Sequence, residues 1–512
     1  MRAGLSTSDA TPTPAVVAPL LAPYLGMQSL QEGPMTSRLR LLPLLALLSV
    51  TTCVRNPATG KRMLSLVSQN DEIALGKQSA EEVRGSIGLI QEPKVQDYVA
   101  RVGLPMAKAS ERPELPWTVQ AVDDPVVNAF ALPGGPVFVT RGLLTALNSE
   151  AELASVLGHE VAHITARHSV EQISQAQLAQ AGLLLGSVLS EDVARFGGLA
   201  AAGLQLLFLK YGRDDERQAD ELGFKYMLNA GYDVRAAANV FATLDRVGKA
   251  AGGQSLPAWL STHPDPGDRV KTAQERAANA HVDFNKLKDG REEYLAMLQG
   301  MAYGNDPRQG FFRGNVFMHP GLRFQLTFPQ GWKTANQPQQ VAGVSPQEDA
   351  IVGLVPTGNI APQEAMQRFM AQEGIQPANA APAGFPPGAA FFQAQTEQGV
   401  IAGVTAFVSQ GGTTLQLLGY TGAQQLPAYE EAFRATFSSF GALTDASALA
   451  VQPARIELAK IASPMTLQQF NEQNPSTISV EELSIINGVQ PGDTLPAGRT
   501  VKRVTGGVKS TP

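Results

Sequence analysis

A single cysteine, Cys53, stands in 512 residues. One thiol excludes an intramolecular disulfide framework and every cysteine-based zinc cluster, so any bound metal must sit on histidines and carboxylates. Histidine is scarce as well, at six residues. No apolar run approaches the roughly 20 residues that a membrane-spanning helix requires. No repeat of fixed period occurs, which excludes a solenoid. Basic residues are outnumbered, 40 Lys and Arg against 46 Asp and Glu, for a formal net charge of -6. That balance gives no sequence-independent grip on phosphate backbones, and nucleic acid is not an expected partner. What is present is 44% hydrophobic residues, enough for several cores, with 35 Pro and 49 Gly for turns and linkers. At roughly 150 residues per domain, the length predicts about three domains of a globular chain.

Residues 1–34 are rich in Pro, Ala and Ser and show no apolar period, so no fold is expected there. From Met35, the better start, the pattern changes. Arg38 and Arg40 form a basic head, Leu41 to Val50 an apolar run broken by Pro43 and Ser49, and Cys53 follows. This layout is that of a signal peptide. It resembles a bacterial lipoprotein signal, which implies a lipidated Cys53 and attachment to a membrane by that anchor only. Residues 1–53 are therefore read as an unstructured leader and lipoprotein-type signal.

The remainder reads as α+β. Residues 54–302 are mostly helical, with a strand-rich insert at 117–140. After the Gly, Asn, Asp and Pro-bearing stretch near 303–314 the period switches to strand alternation, with Leu322, Phe324, Leu326 and Phe328 alternating against polar residues. Residues 311–443 thus form an α+β accessory domain, with a hairpin about Gly411-Gly412, an aromatic helix through Tyr429, Phe433 and Phe437, and a proline-rich loop at 377–388. Residues 450–505 read as strand, two short helices and strand. That βααβ order, with Ile486-Asn487-Gly488 and Leu495-Pro496-Ala497-Gly498, resembles a LysM-like module and implies contact with peptidoglycan.

The chemistry lies in His159-Glu160-Val161-Ala162-His163. With six histidines, random placement yields about 0.006 such pentapeptides in a chain of this length. Ser149 followed by Glu152 predicts a capping box, and Leu153, Val156, Leu157 and Val161 continue at helical spacing. Both imidazoles then share a helix face and can hold one zinc ion, with Glu160 beside it as general base. A third ligand is needed. His168 lies nine residues beyond His159, half a turn round a continuous helix, and is read as structural. A carboxylate must serve, and the candidate is Glu216 in Arg213-Asp214-Asp215-Glu216-Arg217-Gln218-Ala219-Asp220. Asp220, four residues on and on the same face, is placed to accept a hydrogen bond from a ligand imidazole. His263, between Thr262 and Pro264, is a loop imidazole that could act as a removable fourth ligand, donate to an oxyanion, or merely anchor its loop. His281 and His319 are read as structural. Two apolar runs, 179–190 and 196–209, are too short to span a bilayer and are read as a helical cover over the site.

The stretch from about 70 to 280 resembles the HtpX and BepA-like gluzincin metallopeptidases, relatives of the CAAX prenyl-protein proteases. The resemblance is carried by Asn128 to Gly135, the His-Glu-x-x-His segment, Arg213 to Asp220, and Thr262-His263-Pro264. Membership implies one Zn2+ per chain on His159, His163 and Glu216, with Glu160 as base. It also implies that Asn128, Ala129, Phe130 and Ala131 form a strand whose edge binds extended peptide. The expected activity is zinc-dependent cleavage of unfolded or misassembled proteins in the bacterial periplasm at the outer membrane. A chaperone for outer-membrane proteins and a cell-wall-binding lipoprotein are the alternatives.

Overall fold

The computed structural model describes residues 53–507 except 181–210, 251–257, 264–265, 338–339, 373, 381–383 and 397–398. Residues 1–52 of the leader, and the apolar runs read as a cover except for their first two residues, lie outside the described residues, while Cys53, read as the end of an unstructured leader, stands in a strand.

A two-stranded ribbon, β1 (Cys53–Arg55) and β2 (Arg62–Leu64), precedes α1 (Gln69–Ser86) and α2 (Pro93–Lys108). Three strands follow: β3 (Thr118–Val122), β4 (Ala129–Ala131) and β5 (Pro136–Thr140). β5 lies central, parallel to β3 and antiparallel to β4, which leaves β4 at the sheet edge. After α3 (Arg141–Ala146) comes α4 (Glu150–Thr165), buried along its whole length, its apolar residues in the core and its charged and imidazole side chains buried with them. Ser149 caps it by accepting the Glu152 N–H at 3.2 Å. The Glu152 carboxylate does not complete the box on Ser149. It accepts the N–H of Asn148 at 2.6 Å, one residue upstream.

The chain continues through α5 (His168–Gln180), α6 (Arg213–Asn229), α7 (Ala236–Ala250), α8 (Ala258–Thr262), α9 (Pro266–Ala278) and α10 (Arg291–Leu298). α6 crosses α4 at two glycines. A Cβ on Gly223 would lie 2.9 Å from the His159 nitrogen, and one on Gly158 3.1 Å from the Gly223 carbonyl oxygen. Only this near-contact of two backbones brings α6 side chains within reach of the α4 imidazoles.

Short strand β6 (Ala302–Tyr303) leads into the accessory domain. There seven antiparallel strands run in the order 333–337, 340–344, 350–358, 413–422, 399–410, 390–396, 375–380. Helix Leu426–Ser438 packs Phe433 and Phe437 against Val404 and Ala406, and helix Pro362–Met370 packs Phe369 against Phe407. Opposite parity along one strand puts the two helices on opposite faces. Part of the expected 377–388 loop is strand: Pro377 to Ala380 pairs along the sheet edge, where a missing N–H costs no ladder bond.

The C-terminal elements are β7 (Ala454–Lys460), α11 (Leu467–Gln473), α12 (Val480–Ile486) and β8 (Thr500–Thr505). The sequence reading divided the chain at 302 and 450, but the elements on either side of that division share one core. Ile456, Leu467, Leu483, Val501 and Val504 belong to the same buried cluster as Leu147, Leu153 and Leu157. β7 pairs with both β8 and β6, setting Ala454 opposite Tyr303 and Arg455 opposite Ala302. Lys502, fully buried on β8, donates to the Thr145 and Leu147 carbonyls at 2.8 and 2.7 Å, just ahead of α4.

Candidate metal centre

α4 supplies His159, Glu160 and His163, buried at 4%, 1% and 1% exposure. α6 opens at Gly212, whose N–H donates to Asp215 Oδ2 at 3.1 Å, and its first turn carries Asp214, Asp215 and Glu216, the charge sign the helix N-terminus favours. Glu216 and Asp220 therefore face the α4 imidazoles across the glycine crossing. His263 enters from the bend between α8 and α9.

The four side chains His159, His163, Glu216 and His263 converge, each offering one ligand atom within 4.8 Å of the others. His159 Nε2 lies 3.0 Å from His163 Nε2, 3.3 Å from His263 Nδ1 and 3.5 Å from Glu216 Oε2. His263 Nδ1 stands 2.7 Å from Glu216 Oε1, and His163 Nε2 3.5 Å from that same oxygen. Asp220 Oδ1 stands 3.0 Å from His159 Nδ1, on the outward side of the ring. Both oxygens of Glu160 are buried with no hydrogen-bond partner among the described residues, and His263 Nε2 is 3.7 Å from one of them. A buried carboxylate is costly unless its lone pairs are met. An unmet pair beside four convergent donors, three imidazole nitrogens and a carboxylate, fits a site that holds a metal ion and a polar reactant.

Electrostatics sort the donors. Burial, then the neighbouring histidines, push His163 well below the ordinary imidazole value, which leaves it neutral with a lone pair to give. Burial alone would lift the Glu216 carboxyl, but His263, His159 and Arg269 hold it below the usual range. Asp220 is held down in the same way, mainly by Arg269 against its burial. Burial opposes protonation of His263, yet the adjacent Glu216 raises it.

Four residues of the centre were missed or misplaced by sequence reasoning. Arg269 on α9 donates to Glu216 Oε2 at 2.9 Å and to Asp220 Oδ1 at 2.6 Å. Tyr211 stacks on His163 with ring centroids 3.8 Å apart, and Trp259 on His263 at 4.6 Å. No local pattern marks any of these three. His168 does not point away. α4 ends at Thr165, Arg167 takes φ 58°, and the chain turns back so that His168 Nδ1 lies 2.9 Å from His163 Nδ1. The half-turn expectation assumed one continuous helix. His281 and His319 lie outside the convergent group, His319 accepting the Leu322 N–H at 3.1 Å in a local turn.

At the sheet edge, Thr140 N donates to Asn128 O at 3.0 Å and Leu132 N to Pro136 O at 2.8 Å. By antiparallel alternation, Asn128 and Phe130 face β5, so the backbone groups of Ala129 and Ala131 face the outer edge. Asn128 Oδ1 is buried and unpaired among the described residues.

Comparison with known proteins matches residues 93–277 to Peptidase family M48. The chain is 33% identical over 255 residues to the mitochondrial metalloendopeptidase OMA1 of Schizosaccharomyces pombe, an alignment covering 48% of this chain and 72% of that protein. It is 31% identical over 258 residues to a putative beta-barrel assembly-enhancing protease of Vibrio cholerae, covering 48% of this chain and 53% of the relative. The beta-barrel assembly-enhancing protease of Escherichia coli is 29% identical over 261 residues, covering 49% and 53%. The chain thus spans about half the length of these two bacterial relatives. The accessory domain and the C-terminal elements lie beyond the family match, which ends in α9, but the helices that carry the convergent His and Glu donors lie within it, and the chain belongs to Peptidase family M48 as a metalloendopeptidase.

Proposed function

We propose that this chain is a zinc-dependent endopeptidase of the bacterial envelope that hydrolyses unfolded or misassembled proteins. The reading gives it a periplasmic location, with attachment to the outer membrane through a lipidated Cys53. No helix among the described residues is long and apolar enough to cross a membrane. The names of the bacterial relatives, which refer to beta-barrel assembly, support an envelope substrate.

The observation that carries the reading is the unpaired Glu160 carboxylate beside the His159, His163 and Glu216 donors. Two imidazoles and one carboxylate form the donor set of a catalytic zinc site. His159, His163 and Glu216 would hold the ion, which when bound supplies a Lewis acid that polarises the scissile carbonyl and acidifies water. Glu160 takes the proton of the attacking water and delivers it to the leaving amine nitrogen. Asp220 and Arg269 fix the His159 ring so that Nε2 faces the centre. His263 converges on the same donor set and would serve as a removable fourth ligand to the ion. Extended peptide adds to the β4 edge through the backbone of Ala129 and Ala131, a mode tolerant of side chains.

Glu160→Gln keeps the donor set intact. It is expected to retain zinc, measured by metal analysis, while casein cleavage falls by at least about a hundredfold. Cleavage at the parental rate would falsify the assignment.

A further inference from the structure

The outward nitrogens of the two α4 imidazoles have different partners. His159 Nδ1 faces Asp220, a carboxylate gripped by Arg269 through Nε at 2.9 Å and Nη2 at 2.6 Å. His163 Nδ1 faces no carboxylate. It meets His168 Nδ1 at 2.9 Å, and His168 Nε2 meets Gln218 Oε1, again at 2.9 Å. His168 is 2% exposed.

Proton accounting orders this chain. His163 Nε2 faces the centre and needs its lone pair free for a metal, so the ring's proton sits on Nδ1 and is donated to His168. His168 Nδ1 then accepts that proton's hydrogen bond, and His168 Nε2 donates to the Gln218 amide oxygen. The reverse order would place a proton on His163 Nε2 and close that nitrogen to a metal. Gln218 is on α6, two residues from Glu216, so one helix both supplies the carboxylate donor and orients the relay behind an imidazole donor.

The fold holds His168 in this position with a built brace. The left-handed Arg167 places its Nε 2.9 Å from Glu72 Oε2 and its Nη2 3.0 Å from the Val67 carbonyl. Glu72, 1% exposed, also accepts from Arg112 at 2.7 and 3.1 Å. Arg112 donates in turn to the Ile164 carbonyl at 3.0 Å, on the last turn of α4. Two arginines on one buried carboxylate, Arg112 buried and Arg167 partly so, thus fix the turn that returns His168 to His163.

We propose that His168 is a positioning residue whose ring, held by Gln218, sets the orientation and donor strength of His163. The centre then has two unequal imidazoles, one bonded directly to a carboxylate and one bonded to a second ring that ends on an amide, with the Asp215 carboxylate 3.8 Å from His168 Nε2 beyond hydrogen-bond reach. A carboxylate acceptor raises ligand basicity more than a neutral one. This inference rests on the metal-centre reading above.

The test measures zinc affinity by chelator competition, and the absorption spectrum of the cobalt form, in the full chain carrying Glu160→Gln. His168→Phe is expected to weaken zinc binding 10- to 100-fold. Gln218→Glu, at a half-buried surface position, is expected to tighten it several-fold and shift the cobalt bands, and to do neither when combined with His168→Phe. A residue that served packing alone would not give the opposite signs. If His168→Phe does not fold, Gln218→Glu and Gln218→Leu carry the test, the first tightening and the second weakening zinc. Unchanged affinity in a folded His168→Phe, or an equal effect of Gln218→Glu with and without His168, overturns the relay alone. A parent chain that binds neither zinc nor cobalt overturns the metal-centre reading and the relay with it.

Discussion

Arg269 joins what the sequence keeps apart. It reaches Glu216 on one side and Asp220 on the other, and its guanidinium lies 4.2 Å from the Phe241 ring centroid and 4.7 Å from that of Trp259. Its removal leaves the buried Glu216 and the partly buried Asp220 short of positive charge, a change of about 3–5 kcal/mol. Arg269→Met is therefore expected to lower the melting temperature sharply by calorimetry without added metal, and zinc should restore part of the loss by supplying charge to Glu216. No restoration would mean that Glu216 does not meet the ion. At this scale the sequence was legible wherever helical spacing sufficed. His159 and His163 lie one turn apart with Glu160 next to the first, and Glu216 and Asp220 repeat the one-turn spacing on a second helix. Arg269, Tyr211 and Trp259 were illegible because chain reversals, not a local period, bring them in. His168 was misread because one residue, Arg167, leaves the helical region.

The amino end of α4 shows how a helix is fixed at the element scale. Glu150 has no exposed surface, yet its carboxylate accepts from Tyr98 at 2.7 Å, Tyr232 at 2.9 Å, Lys288 at 2.7 Å and Arg101 at 3.2 Å. Burial would raise its pKa, but the hydrogen bonds from Lys288, Tyr98 and Tyr232 and the charge of Arg101 outweigh burial and hold it below 4.5. A carboxyl depressed on folding adds stability that is fully present above the unfolded value. That stability is lost as the pH falls through the native one. Glu150→Gln should cost about 3 kcal/mol at neutral pH. It should also flatten the acid limb of a stability profile followed by denaturant titration; an unchanged slope below pH 4.5 would remove Glu150 from the account. The helix itself was readable from Ser149 and its apolar spacing. Its polar collar was not, because Tyr98, Tyr232 and Lys288 come from three distant segments.

For the whole molecule, the order of domains in sequence is not the order of cores in space. The peptidase core is completed by β7, α11, α12 and β8, which arrive after the accessory domain. Lys502 ties β8 to the turn ahead of α4, and Arg246 on α7 donates to the Val489 carbonyl at 2.9 Å and to Ser484 Oγ at 2.6 Å. Truncation at residue 450 uncovers Leu147 and its neighbours. The expected product is a chain that aggregates and binds no zinc. Deletion of 305–452 with a short turn between Tyr303 and Ala454 should instead leave helix content, zinc binding and casein cleavage near parental levels. Circular dichroism and metal analysis distinguish the two, and a soluble, zinc-loaded truncation at 450 would contradict the shared core. Alternation and turns showed the strands of the accessory domain, but no sequence pattern shows that two segments some 150 residues apart close one ladder.

Tyr303 and Ala454 are rungs of that ladder, so the polypeptide leaves for the accessory domain and comes back at the same place. A tension that drew that domain's two connections apart would load both strands from one end and peel them rung by rung, rather than shear all their bonds at once. Force would therefore reach the Arg455–Ala302 pairing and then the Ile456 bond to Met301 before it reached α4.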